Sequence, residues 1–563
     1  MSHPVPAWVQ ELARQYYAGR TALFVLHGNV YDFVWYEGRA LPMSEFLRGP
    51  LFKRRDLVFT YNRATGITPR NDSSRHDIEL FLRNASLGIS LSTRDPGVIF
   101  PALHSYFHAR LAEGRRIAFI IEHGETLIPA GGTYLSAEEK IVLLYLLQWA
   151  QSSLFLRSDM TILLLAESLN ELHPRLVSNP HVSALRVPYP NPTERRSLIQ
   201  HLLSSHPTLT EKLPPTATVE SLTMGLGGLT LVQIMKLFAE IQNAEQPWDE
   251  SKLLERKKTL VEAQIGGLIE FLPTNTTLDA VAGHHAAKAY LRAVAKALRE
   301  GHTDIIPMGF LITGSVGTGK SFLIRSFAGE IGIPMVQIRN FRSKWVGETE
   351  ANLERILALL EALAPIAVFV DEADTQLGGR EVEGDSGVST RVFGRLAAFM
   401  SEPGHRGRIL WFLATARPDL LPPDIKRQGR AEEHIPLFPP TTPAEKKEVL
   451  STLMRRMGLD PSVLPSSEES FWESLPHLSG AEWEAVLTRA RFQARLAGEA
   501  GLSPDRLQEA LQDYLPSIRP EEVEYMTYLA ILECTRRSLL PPMYQQLSRE
   551  VLLRRVEELR RNL

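Results

Sequence analysis

Eight consecutive residues, Gly314, Ser315, Val316, Gly317, Thr318, Gly319, Lys320 and Ser321, satisfy the pattern G-x-x-x-x-G-K-[ST]. The apolar run GFLIT precedes them, and a helix-like segment opening at Phe322 follows. In that setting glycines let the backbone wrap closely around phosphate oxygens, with N–H groups and the helix N-terminus aimed at the charge. Lys320 is placed to reach the outer phosphates of a nucleotide, and the Ser321 hydroxyl to ligate Mg²⁺. Fifty-one residues after Lys320, the run IAVFV ends in Asp371 and Glu372. Acids at the carboxyl end of a buried strand stand where open α/β sheets bind ligands. Asp371 is expected to hold Mg²⁺ through water, and Glu372 to polarise an attacking water. Residues 314–322 are therefore read as nucleotide contacts, and Lys320, Asp371 and Glu372 as catalytic.

These groups need a scaffold, and the apolar patterning supplies one. Two stretches alternate short apolar strands with amphipathic helices, as parallel α/β sheets do. The first runs from about 20 to 205, with strands in TALFVLHG, DLVFTYN, RIAFIIE, TILLLAE and ALRVPYP. The second runs from about 276 to 440, with GFLITG, MVQIRN, IAVFVDE, ILWFLATA and EEHIPLFP. Mainly helical stretches follow each, over 206–245 and 441–515. A polar helical connector is expected over 246–275, and a helical tail over 516–563, broken at Pro541 and Pro542. The expectation is two related modules in tandem. Of the 563 residues, 44% are hydrophobic and 23% charged, as in an ordinary globular protein. Net charge is −3, which gives no global attraction for a polyanion. The single cysteine, Cys534, excludes an internal disulfide and fits a reducing compartment. The first twenty residues lack a signal-peptide pattern, and no apolar run reaches the ~20 residues of a membrane span. A cytoplasmic protein without membrane or nucleic-acid partners is expected.

Trp345 is harder to place. It is costly to expose, yet it sits among Arg342, Lys344, Glu348 and Glu350, just before Gly347.

Residues 276 to 500 resemble the AAA family of ATPases, in the branch containing valosin-containing protein and the membrane AAA proteases. The resemblance rests on the phosphate loop, the acidic strand end, LDAVAGH (278–284), ATARPDLLPPDIKRQGR (414–430) and LSGAEWEAVLTRA (478–490). It implies ATP and Mg²⁺ as cofactors and a homo-hexameric ring with nucleotide between neighbours. It further implies adenine contacts from Val281, Ala282 and Gly283, lid contacts from Gly480 and Ala481, and arginine fingers at Arg427 and Arg430. Guanidinium groups reaching a neighbour's γ-phosphate would make hydrolysis depend on assembly. Lys344, Trp345, Val346 and Gly347 resemble the family's pore loop, whose aromatic ring grips a threaded polypeptide. One departure concerns the sensor-1 position, where the family carries Asn and this chain has Ala416 after Thr415. Ala416 makes no hydrogen bond to phosphate or water, and slow but real hydrolysis is expected.

The first stretch departs further. No lysine follows TALFVLHG at the required place, and RIAFIIE ends in Glu122-His123 rather than Asp-Glu. Yet TILLLAESLNELHPRLVSN and LTMGLGGLTLVQIMKLF resemble a sensor-1 strand, an arginine region and a lid helix. The expectation is a degenerate AAA module over 1–245, its core about 20–205, that keeps the fold and has lost phosphate binding. His27 and His123 are read as ordinary strand-end residues, and the tail arginines 554, 555, 560 and 561 as a solvated or ring-packing face. H-E-x-x-H is absent, so no zinc protease follows, and no believable G-x-S-x-G triad occurs. The function expected is an ATP-driven hexameric unfoldase or disassembly chaperone acting on a protein substrate. A slowly hydrolysing ATP-binding assembly scaffold is the alternative, ahead of a nucleic-acid motor.

Overall fold

The structure is a computed structural model that describes residues 5–18, 21–84, 89–130, 135–339, 346–377, 388–464, 469–499, 501–516 and 518–563. The chain forms two compact units. One comprises Met1–Gly267 with Phe341–Leu363, the other Leu268–Asn340 with Ala364–Leu563.

The first unit contains β1 (Leu23–Gly28), β2 (Phe33–Tyr36), β3 (Arg39–Pro42), β4 (Leu57–Asn62), β5 (Gly66–Pro69), β6 (Ile117–Ile121), β7 (Met160–Ala166) and β8 (Val182–Val187). Six of these form one sheet in the order β5-β4-β6-β7-β1-β8, parallel except for β5, while β2 and β3 make a separate hairpin. β6 and β7 are buried throughout, which is why they read as unbroken apolar runs: a parallel sheet is covered on both faces. The two-residue period splits β1 between two cores. Leu23 and Val25 pack with Phe100, Phe107, Phe119 and Trp149; Phe24 and Leu26 pack with Trp8, Phe46, Ile120 and Leu163. The helix Val346–Leu363 also belongs to this unit, where Arg355 meets Glu171 at 2.6 Å and Glu361 meets Arg186 at 2.9 Å.

The second unit contains β9 (Ile269–Leu272), β10 (Gly309–Thr313), β11 (Met335–Ile338), β12 (Ile366–Val370), β13 (Ile409–Thr415) and β14 (Glu433–Pro436), in the order β14-β10-β13-β12-β11-β9. All pairings are parallel except β9 with β11.

Both sheets follow one plan. Numbering the five parallel strands of each along the chain gives 5-1-4-3-2, with an antiparallel strand added beyond strand 2. The added strand has different origins. β5 is the hairpin return of β4, whereas β9 comes from the segment read as a purely helical connector. The helix Glu250–Gln264 forms there, and then the chain turns into β9. Strands β2, β3, β5 and β9, four residues each, were not among the strands read from the sequence.

After the fifth parallel strand, both units continue into a capped helix. Asn191 and Glu194 form the capping box of Pro192–Ser205, and Thr442 and Glu445 that of Pro443–Arg456. A buried cation follows each box and donates to backbone carbonyls. Arg195 bonds Thr223 and Pro190, and Lys446 bonds Trp472 and Leu475. A later capped helix follows in each module, Leu231–Asn243 in the first and Gly480–Leu496 in the second. In the tail, helices Pro520–Glu533 and Arg549–Asn562 pack through Tyr525, Leu529 and Leu559, with Arg555 paired to Glu524 at 2.8 Å.

Candidate active site

The phosphate loop leaves β10 at Gly314, whose φ is +145°, a region that favours glycine. A Cβ there would also collide with the Leu437 carbonyl after β14. The helix Lys320–Ile331 begins at Lys320, with Gly319 as its N-cap. Inside the loop, Thr318 Oγ1 donates to the Ser315 carbonyl at 2.9 Å, holding the turn closed. Lys320 Nζ donates to the Gly314 and Ser315 carbonyls at 2.8 and 2.9 Å. Burial opposes its charge and pulls the ammonium down to about 8, although Asp371 and Asp374 work the other way.

β12 brings Asp371 to this loop, where its Oδ2 accepts from Ser321 Oγ at 3.0 Å. A hydroxyl and a carboxylate side by side are hard oxygen donors that suit Mg²⁺, with further ligands coming from phosphate and water. Glu372 follows with φ +45°, a strained left-handed conformation for a residue with a side chain. It is exposed, and its N–H donates to Asp371 Oδ1 at 3.0 Å.

Val281, Ala282, Gly283, the loop from Val316 to Phe322, Asp371, Glu372, Gly480 and Ala481 all line one cavity of about 1230 Å³. Gly314 and Ser315 sit behind that surface and shape it. Ala481 N donates to the Gly317 carbonyl at 3.2 Å, stapling the helix Gly480–Leu496 to the phosphate loop. Arg427 and Arg430 do not line the cavity. Arg427 is 70% exposed and pairs with Asp424 at 3.0 Å. Arg430 is held by Ser401 Oγ and the Asp424 carbonyl at 2.9 and 2.6 Å. Lys344 and Trp345 lie outside the described residues. Val346 and Gly347 open the helix Val346–Leu363.

Several wall residues were missed from sequence. His284 holds the segment 278–284 on the loop, with Nε2 2.9 Å from the Thr318 carbonyl. Burial lowers its pKa, and a carbonyl only accepts, so the neutral ring carries its proton on Nε2. Asp374 accepts from Thr415 Oγ1 at 2.6 Å, and the same hydroxyl accepts from Arg417 N at 2.8 Å. The D-E-A-D run at 371–374 was the signal for Asp374. The tail is the larger omission: Leu539 to Met543 and Gln545 form one side of the cavity.

The first unit repeats the geometry without the chemistry. Gly28 ends β1 with φ +97°, and a Cβ there would lie 2.6 Å from the Val187 carbonyl, as at Gly314 and Leu437. His123 follows β6 in the left-handed region at φ +55°, the counterpart of Glu372. Its ring stacks on Tyr31 at 4.7 Å. In place of the phosphate loop stands Asp32, 4% exposed. Its oxygens accept from Leu231 N at 2.9 Å, Val232 N at 3.0 Å and Asn29 Nδ2 at 2.9 Å. Leu231 and Val232 start the helix Leu231–Asn243, so Asp32 supplies the staple that the Gly317 carbonyl supplies in the other unit. Burial lifts its carboxyl above the ordinary value despite these donors.

Residues 310–438 match the ATPase family associated with various cellular activities (AAA), and residues 2–188 match the AAA+ chaperone, N-terminal Rossmann-like domain. An uncharacterized AAA domain-containing protein, ycf46, of Trieres chinensis is 29% identical over 291 residues, 49% of this chain and 56% of that protein. A Cell division cycle protein 48 homolog of Archaeoglobus fulgidus is 30% identical over 235 residues, covering 39% of this chain and 32% of its own length. The ATP-dependent zinc metalloprotease FtsH 2 of Symbiobacterium thermophilum is 30% identical over 230 residues, 38% of each protein. The chain thus spans between about a third and just over half of these relatives. Strand order, phosphate loop and matched spans agree, and the chain belongs to the AAA+ family of ATPases.

Proposed function

We propose that this protein hydrolyses ATP in the cavity of its second unit and uses the energy to remodel a protein substrate. The carrying observation is the convergence of Lys320, Ser321, Asp371 and Glu372 on one cavity whose wall is a glycine loop at a helix N-terminus. The loop N–H groups and Lys320 take up phosphate charge, with Lys320 exchanging two backbone carbonyls for phosphate oxygens. Ser321 and Asp371 would hold Mg²⁺, which neutralises phosphate charge when bound. Glu372 orients a water and accepts its proton as the water oxygen bonds to the γ-phosphorus. The bond from that phosphorus to the bridging oxygen breaks, leaving ADP and phosphate.

The finer reading is a homo-hexamer in the cytoplasm, with Arg427 and Arg430 completing a neighbour's site. Loops carrying Lys344, Trp345, Val346 and Gly347 would draw polypeptide through a central pore. Its support is the sequence pattern, the exposure of Arg427 and the absence of both arginines from their own cavity. The first unit acts as a scaffold without nucleotide, since Asp32 already takes the helix N-terminus that faces its loop. Among the described residues no helix is long and apolar enough to cross a membrane.

A slowly hydrolysing assembly scaffold is the second reading, and one observation favours it. Ala416 offers no hydrogen bond, and the neighbouring Thr415 hydroxyl is already committed to Asp374 and 1% exposed. Glu372→Gln separates the two. For a remodelling ATPase, the variant keeps ATP binding and loses turnover by about 100-fold or more, the usual share of a general base. Substrate held by that variant should co-purify with it. An unchanged turnover rate would remove Glu372 from the mechanism, and parent protein that binds ATP with negligible turnover would establish the scaffold.

A further inference from the structure

We propose that the tail segment Ser538–Gln545 is a wall of the nucleotide site, so that nucleotide binding and tail docking stabilise each other. The inference rests on the ATP reading of the second unit.

Phosphates belong at the glycine loop, so the remainder of the cavity receives the nucleoside. That remainder is bounded in part by Leu539 to Met543. Leu539 is 6% exposed and shares a core with Val281 of the segment 278–284 and Ala287 of the helix His285–Arg299. Tyr544 stacks on Phe438, two residues beyond β14, with centroids 5.7 Å apart. Gln545 Nε2 donates to the Leu540 carbonyl at 2.8 Å and closes the turn. Pro541 and Pro542 restrict the backbone, which lowers the entropy cost of holding the wall in place.

The start of the segment is anchored to the edge of the sheet. Thr535 Oγ1 accepts from His434 N at 3.0 Å, and Arg536 pairs with Glu433 at 2.6 Å while covering the Tyr290 ring. Two residues before Thr535, Glu533 accepts at 2.6 Å from Nζ of Lys426, the neighbour of Arg427 in sequence. Tyr525 of the same helix lies under the Arg417 guanidinium, 5.3 Å from the ring centre. A single stretch of tail therefore touches the cavity, Arg417 beyond the sensor-1 position, and the loop that carries the arginines. Anything binding better to the docked than to the undocked tail must favour docking in return, by the same factor.

The test uses the full chain with ADP and ATP as probes. Hydrogen exchange of residues 534–547 is followed with and without ADP, and affinities are measured for the parent, Tyr544→Ala and Tyr544→Phe. The expected result is slower exchange in the tail on ADP binding. Tyr544→Ala should weaken ADP and ATP alike, on the order of 5- to 20-fold, within the usual range of such couplings, and Tyr544→Phe should restore affinity by keeping the ring stack. Lys320→Ala should lose nucleotide and tail protection together. Parent protein that binds ADP with no change in tail exchange, and equal affinity in Tyr544→Ala, overturns the tail wall and leaves the ATP site standing. Parent protein that binds neither nucleotide overturns the ATP reading itself.

Discussion

Lys320 carries its charge where burial works against it, and the balance sets a pH dependence. In the free protein its ammonium sits at about 8, well below the lysine value of 10.5. Phosphate favours the charged form, so the bound pKa is higher and binding takes up a proton once the free side chain has lost one. ATP affinity should be flat below pH 8 and fall above it, by up to about tenfold per pH unit. Titrations from pH 7 to 9.5 in buffers of different ionisation enthalpy measure affinity and proton uptake together. An affinity unchanged through pH 9.5 would show that Lys320 does not meet the phosphates. Lys320 and Ser321 were legible because their spacing is set by the local strand–loop–helix unit, and Asp371 and Glu372 because two acids close an unbroken apolar strand. His284 and Asp374 also lie in quoted motifs, but their partners, the Thr318 carbonyl and Thr415, depend on tertiary approach. A sequence displays residue types at intervals; it does not display which hydroxyl is already engaged.

The central strands were legible as apolar runs because both faces of a parallel sheet are covered. Their equivalence between the units becomes plain only in the backbone. Gly28 and Gly314 face matching carbonyls, and His123 and Glu372 share a left-handed turn after the same strand. The turn thus persists where the glutamate side chain does not, which fits a strand-end conformation imposed by the fold. Asp32 was passed over because a lone acid in NVYDFV has no motif; its meaning lies in Leu231 and Val232, some two hundred residues away. Replacing Asp32 by alanine leaves two backbone donors buried without this acceptor. Destabilisation of about 2–4 kcal/mol is expected, from the penalty for unsatisfied buried groups, with a smaller loss for Asp32→Asn. Urea unfolding followed by a first-unit signal measures this, and ATP affinity at the second unit should not move. An Asp32→Ala midpoint equal to the parent's would dismiss the staple.

At the scale of the whole molecule, the roles proposed for the two arginines and for residues 344–347 need an assembly rather than one chain. If Arg427 completes a neighbour's site, Arg427→Ala keeps ATP affinity while turnover falls by about 10³-fold or more, the usual worth of an arginine finger. Turnover per chain in the parent should also rise with protein concentration across the range where sedimentation shows assembly. A rate per chain that is constant across that range, together with a fully active Arg427→Ala, would make the site self-sufficient.

The connectivity has a genetic consequence. The chain passes between the units at 267–268, 340–341 and 363–364, so the span Phe341–Leu363 is encoded inside the ATPase module but housed with its companion. No single deletion separates the two halves. A lineage that discarded the first would strip the cover from the helix directly after Trp345, with Arg355 and Glu361 losing their partners. Halves interlaced in this way are kept or lost together, which gives the one without a lysine for phosphate a structural reason to persist.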